Sequence, residues 1–127
     1  MNRINIIILS KEESSLADVA SVFAAHNGFD ITWFASAEQV WTFMQSTKID
    51  VAVVSDLLQD CTGLQFIKKL VTKNPLVNCA LISSLSHDEF HEATEGYGIF
   101  MQLPVNPTPQ SANDMIEHLG KIFQLTR

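Results

Sequence analysis

The sequence has 127 residues, of which 46% are hydrophobic, enough to form one domain, residues 1–127, with a buried core. Its 14 acidic and 8 basic residues give a formal net charge of −6, which repels nucleic acids and acidic membrane surfaces, so we expect neither as a partner. No apolar run approaches the roughly 20 residues of a membrane-spanning helix, and the first run, Ile6–Leu9, is too short for a signal peptide.

Five apolar runs predict β-strands. Most of them are nearly uninterrupted, which is typical of parallel strands buried on both faces. Phe29, Ile31 and Trp33 instead alternate with polar residues, which predicts a strand nearer the sheet edge. The predicted strands are residues 4–9, 29–33, 51–54, 77–82 and 99–103.

A helix is predicted after each strand. Hydroxyl residues followed three positions later by Gln or Glu predict helix caps at Ser36, Thr62 and Ser86, and a first-turn proline predicts the start of the last helix at Pro109. The fourth helix has a poor apolar stripe, so we expect it to be mobile or to face a partner. The inward-facing residues predicted for the five helices in turn are Leu16, Val19, Ala20 and Phe23; Ala37, Val40, Trp41 and Met44; Leu64, Ile67, Leu70 and Val71; Phe90 and Ala93; and Ala112, Met115, Ile116, Leu119, Ile122 and Phe123.

Strands that alternate with helices through short loops predict a three-layer α/β fold with a doubly wound, five-stranded parallel sheet of the flavodoxin-like type. Residues 1–123 form the predicted core and residues 124–127 a short tail. Ligands of such sheets bind beyond the carboxyl ends of the strands. The loop after the first strand, residues 10–14, lacks glycine, and its Glu12 and Glu13 repel phosphate, so a flavin or nucleotide binder is the least favoured alternative.

The stretch 50–67 carries a resemblance to a known family. Gly63, Leu64 and Phe66 fit the Gly-Leu-x-Phe element of bacterial response-regulator receiver (CheY-like) domains without a gap, and Gly96 and residues 100–104 fit the same register. The resemblance covers nearly the whole chain and implies the strand order 2-1-3-4-5. It also implies a site for Mg²⁺ at two acidic residues after the first strand, and an aspartate after the third strand that takes a phosphoryl group from a histidine kinase. A hydroxyl after the fourth strand and a Lys-Pro pair after the fifth complete the implied site.

At the implied active positions this sequence departs from the family. The two acidic positions become Ser10 and Lys11, and the phosphoacceptor becomes Ser55. The hydroxyl is kept as Ser83, while the lysine becomes Leu103. Mg²⁺ needs charged oxygen ligands, and a serine would form a stable ester in place of a labile acyl phosphate. The residues of this degenerate pocket are Ser10, Lys11, Glu12, Ser83, Leu103 and Pro104, around Ser55.

We therefore expect a pseudo-receiver that has no catalytic residue, no metal and no cofactor. Such a domain is a signalling module of the two-component type and not an enzyme. It would bind protein partners, a histidine kinase or an output domain, in a conformation that does not depend on phosphate.

The alternative is a working phosphoacceptor at Asp56. It would take up phosphate with Mg²⁺ held by Glu12, Glu13 and Asp56. That register requires a deletion between Asp56 and Gly63 and still leaves Leu103 in place of the lysine. Asp56 is otherwise expected to be solvated or paired with Lys11.

The face formed by the fourth helix, the fifth strand and the last helix is the surface that the resemblance assigns to partners and to a homodimer. Phe100 and Ser83 match the family's switch positions, and Phe100 is alternatively a half-buried aromatic residue near the sheet edge. His87 and His91 lie four residues apart, but Asp88 stands where a zinc motif has glutamate and no third ligand is placed, so we expect surface histidines. The interface residues predicted here are Ser83, His87, His91, Phe100 and Gln102.

The two cysteines show no close pairing motif, so we expect reduced thiols and a cytoplasmic protein. Cys61, in the loop before the third helix, is predicted to be an exposed thiol that nothing in the sequence strongly activates. Cys79 is predicted to be a small buried residue in the fourth strand.

Overall fold

The structure, a computed structural model, describes residues 3–123, apart from the side chains of Glu13 and Ser14. The predicted tail 124–127 lies outside the described residues. The strands are β1 (Ile4–Leu9), β2 (Phe29–Phe34), β3 (Val51–Val54), β4 (Asn78–Ile82) and β5 (Ile99–Leu103). The helices are a short 3₁₀ helix (Glu13–Leu16), α1 (Ala17–Ala24), α2 (Ala37–Phe43), α3 (Gly63–Lys73), α4 (His87–Thr94) and α5 (Pro109–Phe123).

All neighbouring strands are parallel, and their order is β2-β1-β3-β4-β5. This confirms the predicted flavodoxin-like sheet and the strand order 2-1-3-4-5. The sheet separates two apolar clusters. One joins alternate residues of β1, β3 and β4 to α1 and α5, and the other joins the opposite residues of these strands to α2 and α3.

Local capping explains where three of the helices begin. Thr62 with Gln65 and Ser86 with Glu89 form complete capping boxes at α3 and α4, as predicted. At α2 the Ser36 hydroxyl accepts from the Gln39 backbone N–H, but the Gln39 side chain accepts from Ala35 N–H instead of completing a box. The three predicted cap positions are confirmed.

One predicted inward position is wrong. Ile122 of α5 is exposed although it lies on the same helical face as Met115 and Leu119, because helical spacing sets the face of a residue and not whether another element covers it. In α4, Ala93 is half-buried and Thr94 is buried beside Phe90, since the Thr94 hydroxyl is satisfied by the Phe90 carbonyl oxygen at 2.7 Å.

No helix within residues 3–123 combines the length and the apolar character that crossing a membrane requires.

Candidate functional site

Ser10, Ser55 and Leu103 are all at the carboxyl edge of the sheet, directly after or at the ends of β1, β3 and β5. The backbone N–H of Ser55 donates to the Leu9 carbonyl oxygen at 2.9 Å, which extends the ladder between β1 and β3 by one residue. Strand alternation places all three on the face of the sheet that α1 and α5 cover, and all three are buried.

The Ser10 hydroxyl forms its hydrogen bonds within its own loop. Its Oγ donates to the Glu12 carbonyl oxygen at 2.7 Å, accepts from the Glu12 backbone N–H at 3.1 Å and lies 3.0 Å from Ser15 Oγ. Lys11 and Glu12 are exposed. The loop after β1 therefore closes on itself, and among the described residues none of its side chains forms a hydrogen bond to Ser55.

Ser55 and Asp56 occupy different environments. Ser55 is 7% exposed and its Oγ donates to Asp56 Oδ1 at 3.2 Å, whereas the Asp56 side chain is exposed. The ion pairs within residues 3–123 are Arg3–Asp30 and Lys48–Asp50, so the Asp56–Lys11 pair does not form there. The exposed Asp56 side chain agrees with the alternative expectation of a solvated carboxylate.

Leu103 fills the place that the resemblance assigns to a lysine. It is completely buried in the cluster beneath α1 and α5, while Pro104 after it is exposed. A leucine here packs as a core residue and supplies no positive charge to the edge of the sheet.

Ser83 and Gln102 both form hydrogen bonds with the backbone of the loop between β4 and α4. The Ser83 Oγ accepts from the Leu85 backbone N–H at 3.1 Å, and the Gln102 amide nitrogen donates to the carbonyl oxygens of Ser83 and Leu85. The Ser83 hydroxyl thus stabilises its own loop.

Phe100 is the extra residue of a bulge in β5. Ile99 pairs with Cys79 and Met101 with Ala80, so Phe100 has no partner in β4. Its half-buried ring lies against α5, with its centroid 6.1 Å from the imidazole centroid of His118.

His87 and His91 are exposed on α4. Among residues 3–123, no three His, Cys, Asp or Glu side chains are placed to hold one metal ion. The side chain of Glu13, one ligand of the alternative magnesium set, lies outside the described part of the chain.

The two thiols are free. Burial raises the pKa of Cys61, and the neighbouring Asp60 carboxylate raises it further. Burial raises the pKa of Cys79 to about 12. Cys61 is half-buried instead of exposed as predicted, because the loop between β3 and α3 folds back between Leu57 and Thr62. A raised pKa keeps both thiols protonated at neutral pH, which disfavours reactivity.

Asp60 is a structural residue that the sequence analysis did not find. Its carboxylate accepts from the backbone N–H groups of Ala37, at 2.9 Å, and Glu38, at 3.2 Å, at the start of α2. These bonds lower the pKa of Asp60, the Ala37 bond most. Asp60 lies 23 residues after Ala37, the first residue of the helix that it caps, so no local motif predicts this contact.

We expect Asp60→Ala to lower the free energy of unfolding by about 0.5–1 kcal/mol, the lower range for a lost cap because the group is exposed. Since the folded state lowers the pKa, this stabilisation is present above the ordinary value of 3.8 and is lost as the pH falls through the folded pKa. Urea unfolding at pH 7 and pH 3 measures it. An equal difference at both pH values would contradict the charge-dependent cap.

The strand order and the five helices define the fold class of this domain: it has the receiver (CheY-like) fold. Solved structures with this fold match nearly the whole chain. The signal receiver domain of an HD domain-containing protein from Pseudomonas fluorescens is 14% identical, with a TM-score of 0.76 over 99% of this chain and 96% of that one. The chemotaxis response regulator CheY4 of Vibrio cholerae is 12% identical, with a TM-score of 0.78 over 93% of this chain and 99% of that one.

A putative pilus assembly protein (CpaE) from Burkholderia thailandensis is 21% identical, with a TM-score of 0.72 over 93% of this chain and 98% of that one. No protein-family model and no curated protein matches the sequence. Likeness at these identities establishes the fold of the chain.

Proposed function

We propose that this protein is a receiver-like signalling domain of the two-component type that binds protein partners without taking up phosphate. The observation that carries the proposal is the buried hydroxyl of Ser55 at the end of β3, where the resemblance places a phosphoacceptor aspartate. The assignment of Ser55 to the phosphoacceptor position is proposed from the sequence register and from the pairing of β3 with β1.

The chemistry around Ser55 supports this proposal. Receivers hold Mg²⁺ with charged oxygen ligands, and phosphoryl transfer depends on positive groups that stabilise the equatorial oxygens. Here the neighbouring position after β1 is Ser10, whose hydroxyl is bonded within its loop, and the position at the end of β5 is the buried Leu103. Neutral side chains also avoid the mutual repulsion of a carboxylate cluster without metal.

The outer surface of the same edge supports a role in protein binding. Leu57, Leu85 and Val105 are each more than 40% exposed and lie on the loops that follow the adjacent strands β3, β4 and β5. Exposed aliphatic residues on neighbouring loops favour contact with another protein. The partners proposed are a histidine kinase or an output domain, and a second copy of the chain through α4, β5 and α5.

The test is incubation of the purified protein with Mg²⁺ and acetyl phosphate, followed by intact mass measurement. We expect less than about 5% of the chains to gain a phosphoryl group, because the proposed pocket supplies neither metal ligands nor a carboxylate nucleophile. We also expect no Mg²⁺-dependent change in tryptophan fluorescence. Stoichiometric labelling that hydroxylamine removes would overturn the proposal.

The second candidate is phosphorylation at Asp56, which its exposure and its place two residues after the end of β3 favour. Asp56→Asn decides between the two. It abolishes labelling if Asp56 is the acceptor, and Asp60→Asn serves as the matched carboxylate control in the same loop. If the wild-type protein is not labelled, neither variant gains a phosphoryl group.

A further inference from the structure

The side chain of Gln102 connects β5 to the loop between β4 and α4. Its Nε2 donates to the carbonyl oxygen of Leu85 at 2.8 Å and to that of Ser83 at 3.1 Å. Both N–H groups of the amide therefore have acceptors on one loop. The Ser83 hydroxyl binds the same loop from within, by accepting from Leu85 N–H.

The position of Gln102 in β5 directs its side chain toward this loop. Met101 and Leu103, on either side of it, pack into the cluster beneath α1 and α5. Strand alternation places Gln102 on the opposite face, where α4 lies, and it is half-buried there. It is the one polar residue of an otherwise apolar strand.

Few other contacts hold the loop. Ser84, Leu85 and Ser86 are exposed, and within residues 3–123 their remaining hydrogen bonds are to residues 83–90. The helix that follows buries only Phe90 and Thr94. An element with so few buried contacts opens locally at low free energy, so the hydrogen bonds from β5 have a large influence on its position.

We propose that Gln102 is a latch that fixes the loop between β4 and α4, and with it the start of α4, in one arrangement. The latch presents Leu85 and the exposed face of α4 to protein partners without a phosphorylation event. This inference rests on the proposed function for its role in partner binding, but the latch itself is measured on the free domain.

The experiment is amide hydrogen exchange at residue resolution on the wild-type protein and on Gln102→Leu, which keeps the size of the side chain and removes its donors. We expect exchange at Glu89 and Phe90 to accelerate about tenfold, since two hydrogen bonds to the loop are lost. Amides of β3 and α3, such as Val53 and Phe66, should keep their protection within about twofold.

Two further variants make the test specific. Gln102→Glu has nearly the same shape but presents carboxylate oxygens to the two carbonyl oxygens, so we expect it to accelerate exchange at least as much. Gln110→Leu is the matched control, because within residues 3–123 the Gln110 amide bonds only to Asp114 in its own helix, and it should leave α4 unchanged.

Unchanged exchange at Glu89 and Phe90 in both Gln102 variants would overturn the latch. Uniform acceleration over the whole sheet would also overturn it, since Gln102 would then contribute to global stability alone. Labelling of the wild-type protein by acetyl phosphate is a separate measurement. A negative hydrogen-exchange result would overturn the latch but not the proposed absence of phosphate uptake. Stoichiometric labelling would overturn the proposed function but not the latch.

Discussion

Gly63→Ala is expected to lower the free energy of unfolding by about 3 kcal/mol, the upper end of the usual cost of overpacking. Gly63 is buried at the first position of α3. A Cβ atom at this position would overlap the carbonyl oxygen of Ser55 and lie 2.8 Å from Leu81 Cδ1. The Ser55 carbonyl belongs to the backbone directly after β3, so it cannot move aside as a side chain would.

The close approach of Gly63 to the Ser55 carbonyl oxygen also determines the position of the candidate site. The Gly63 backbone N–H donates to the Asp56 carbonyl oxygen at 2.9 Å, so α3 begins against the residues that follow β3. A displaced helix start would therefore also shift Ser55 and Asp56.

Urea unfolding measures the effect, with Lys69→Ala on the exposed side of α3 as the control. We expect the control to change stability by no more than about 0.5 kcal/mol, as is usual for surface substitutions. A Gly63→Ala variant whose unfolding midpoint equals that of the wild type would show that the helix start is free to move.

Leu103→Lys, which introduces the lysine of the family pattern, is expected to destabilise the domain by about 3 kcal/mol. The substitution removes a completely buried leucine from the core and places an ammonium group at the same site without a described partner. Leu103→Met is the matched control and should cost less than about 1.5 kcal/mol, because it conserves the volume and the apolar character.

The double variant Ser55→Asp with Leu103→Lys tests whether the two positions share one pocket. Residues in contact show coupling energies of about 0.5–3 kcal/mol, and a carboxylate beside the new ammonium should recover part of the lost stability. Thermodynamic cycles from urea unfolding measure this coupling. Strictly additive costs would place Ser55 and Leu103 in separate environments and would remove the register argument for the degenerate pocket.

Much of the fold follows from local patterns. The apolar runs and the helical spacing of the sequence identify all five strands and all five helices, because burial of an element requires that pattern in its own residues. Caps at Thr62 and Ser86 are equally local, since the groups that satisfy each other are three residues apart. The proposed departures of Ser10, Ser55 and Leu103 from the receiver pattern also rest on the sequence register alone.

Other features depend on elements that only the folded chain brings together. Asp60 caps a helix that ends 17 residues before it, and Gln102 binds a loop 17 and 19 residues away, so neither has a signal at short spacing. The bulge at Phe100 turns its ring toward α5, although the residue type predicts only a strand. That Ser55 is buried while Asp56 is exposed was likewise decided by the packing of β3 between β1 and β4 and not by any local pattern. Local sequence thus determines which elements form, and long-range contacts determine which side chains meet at the carboxyl edge of the sheet.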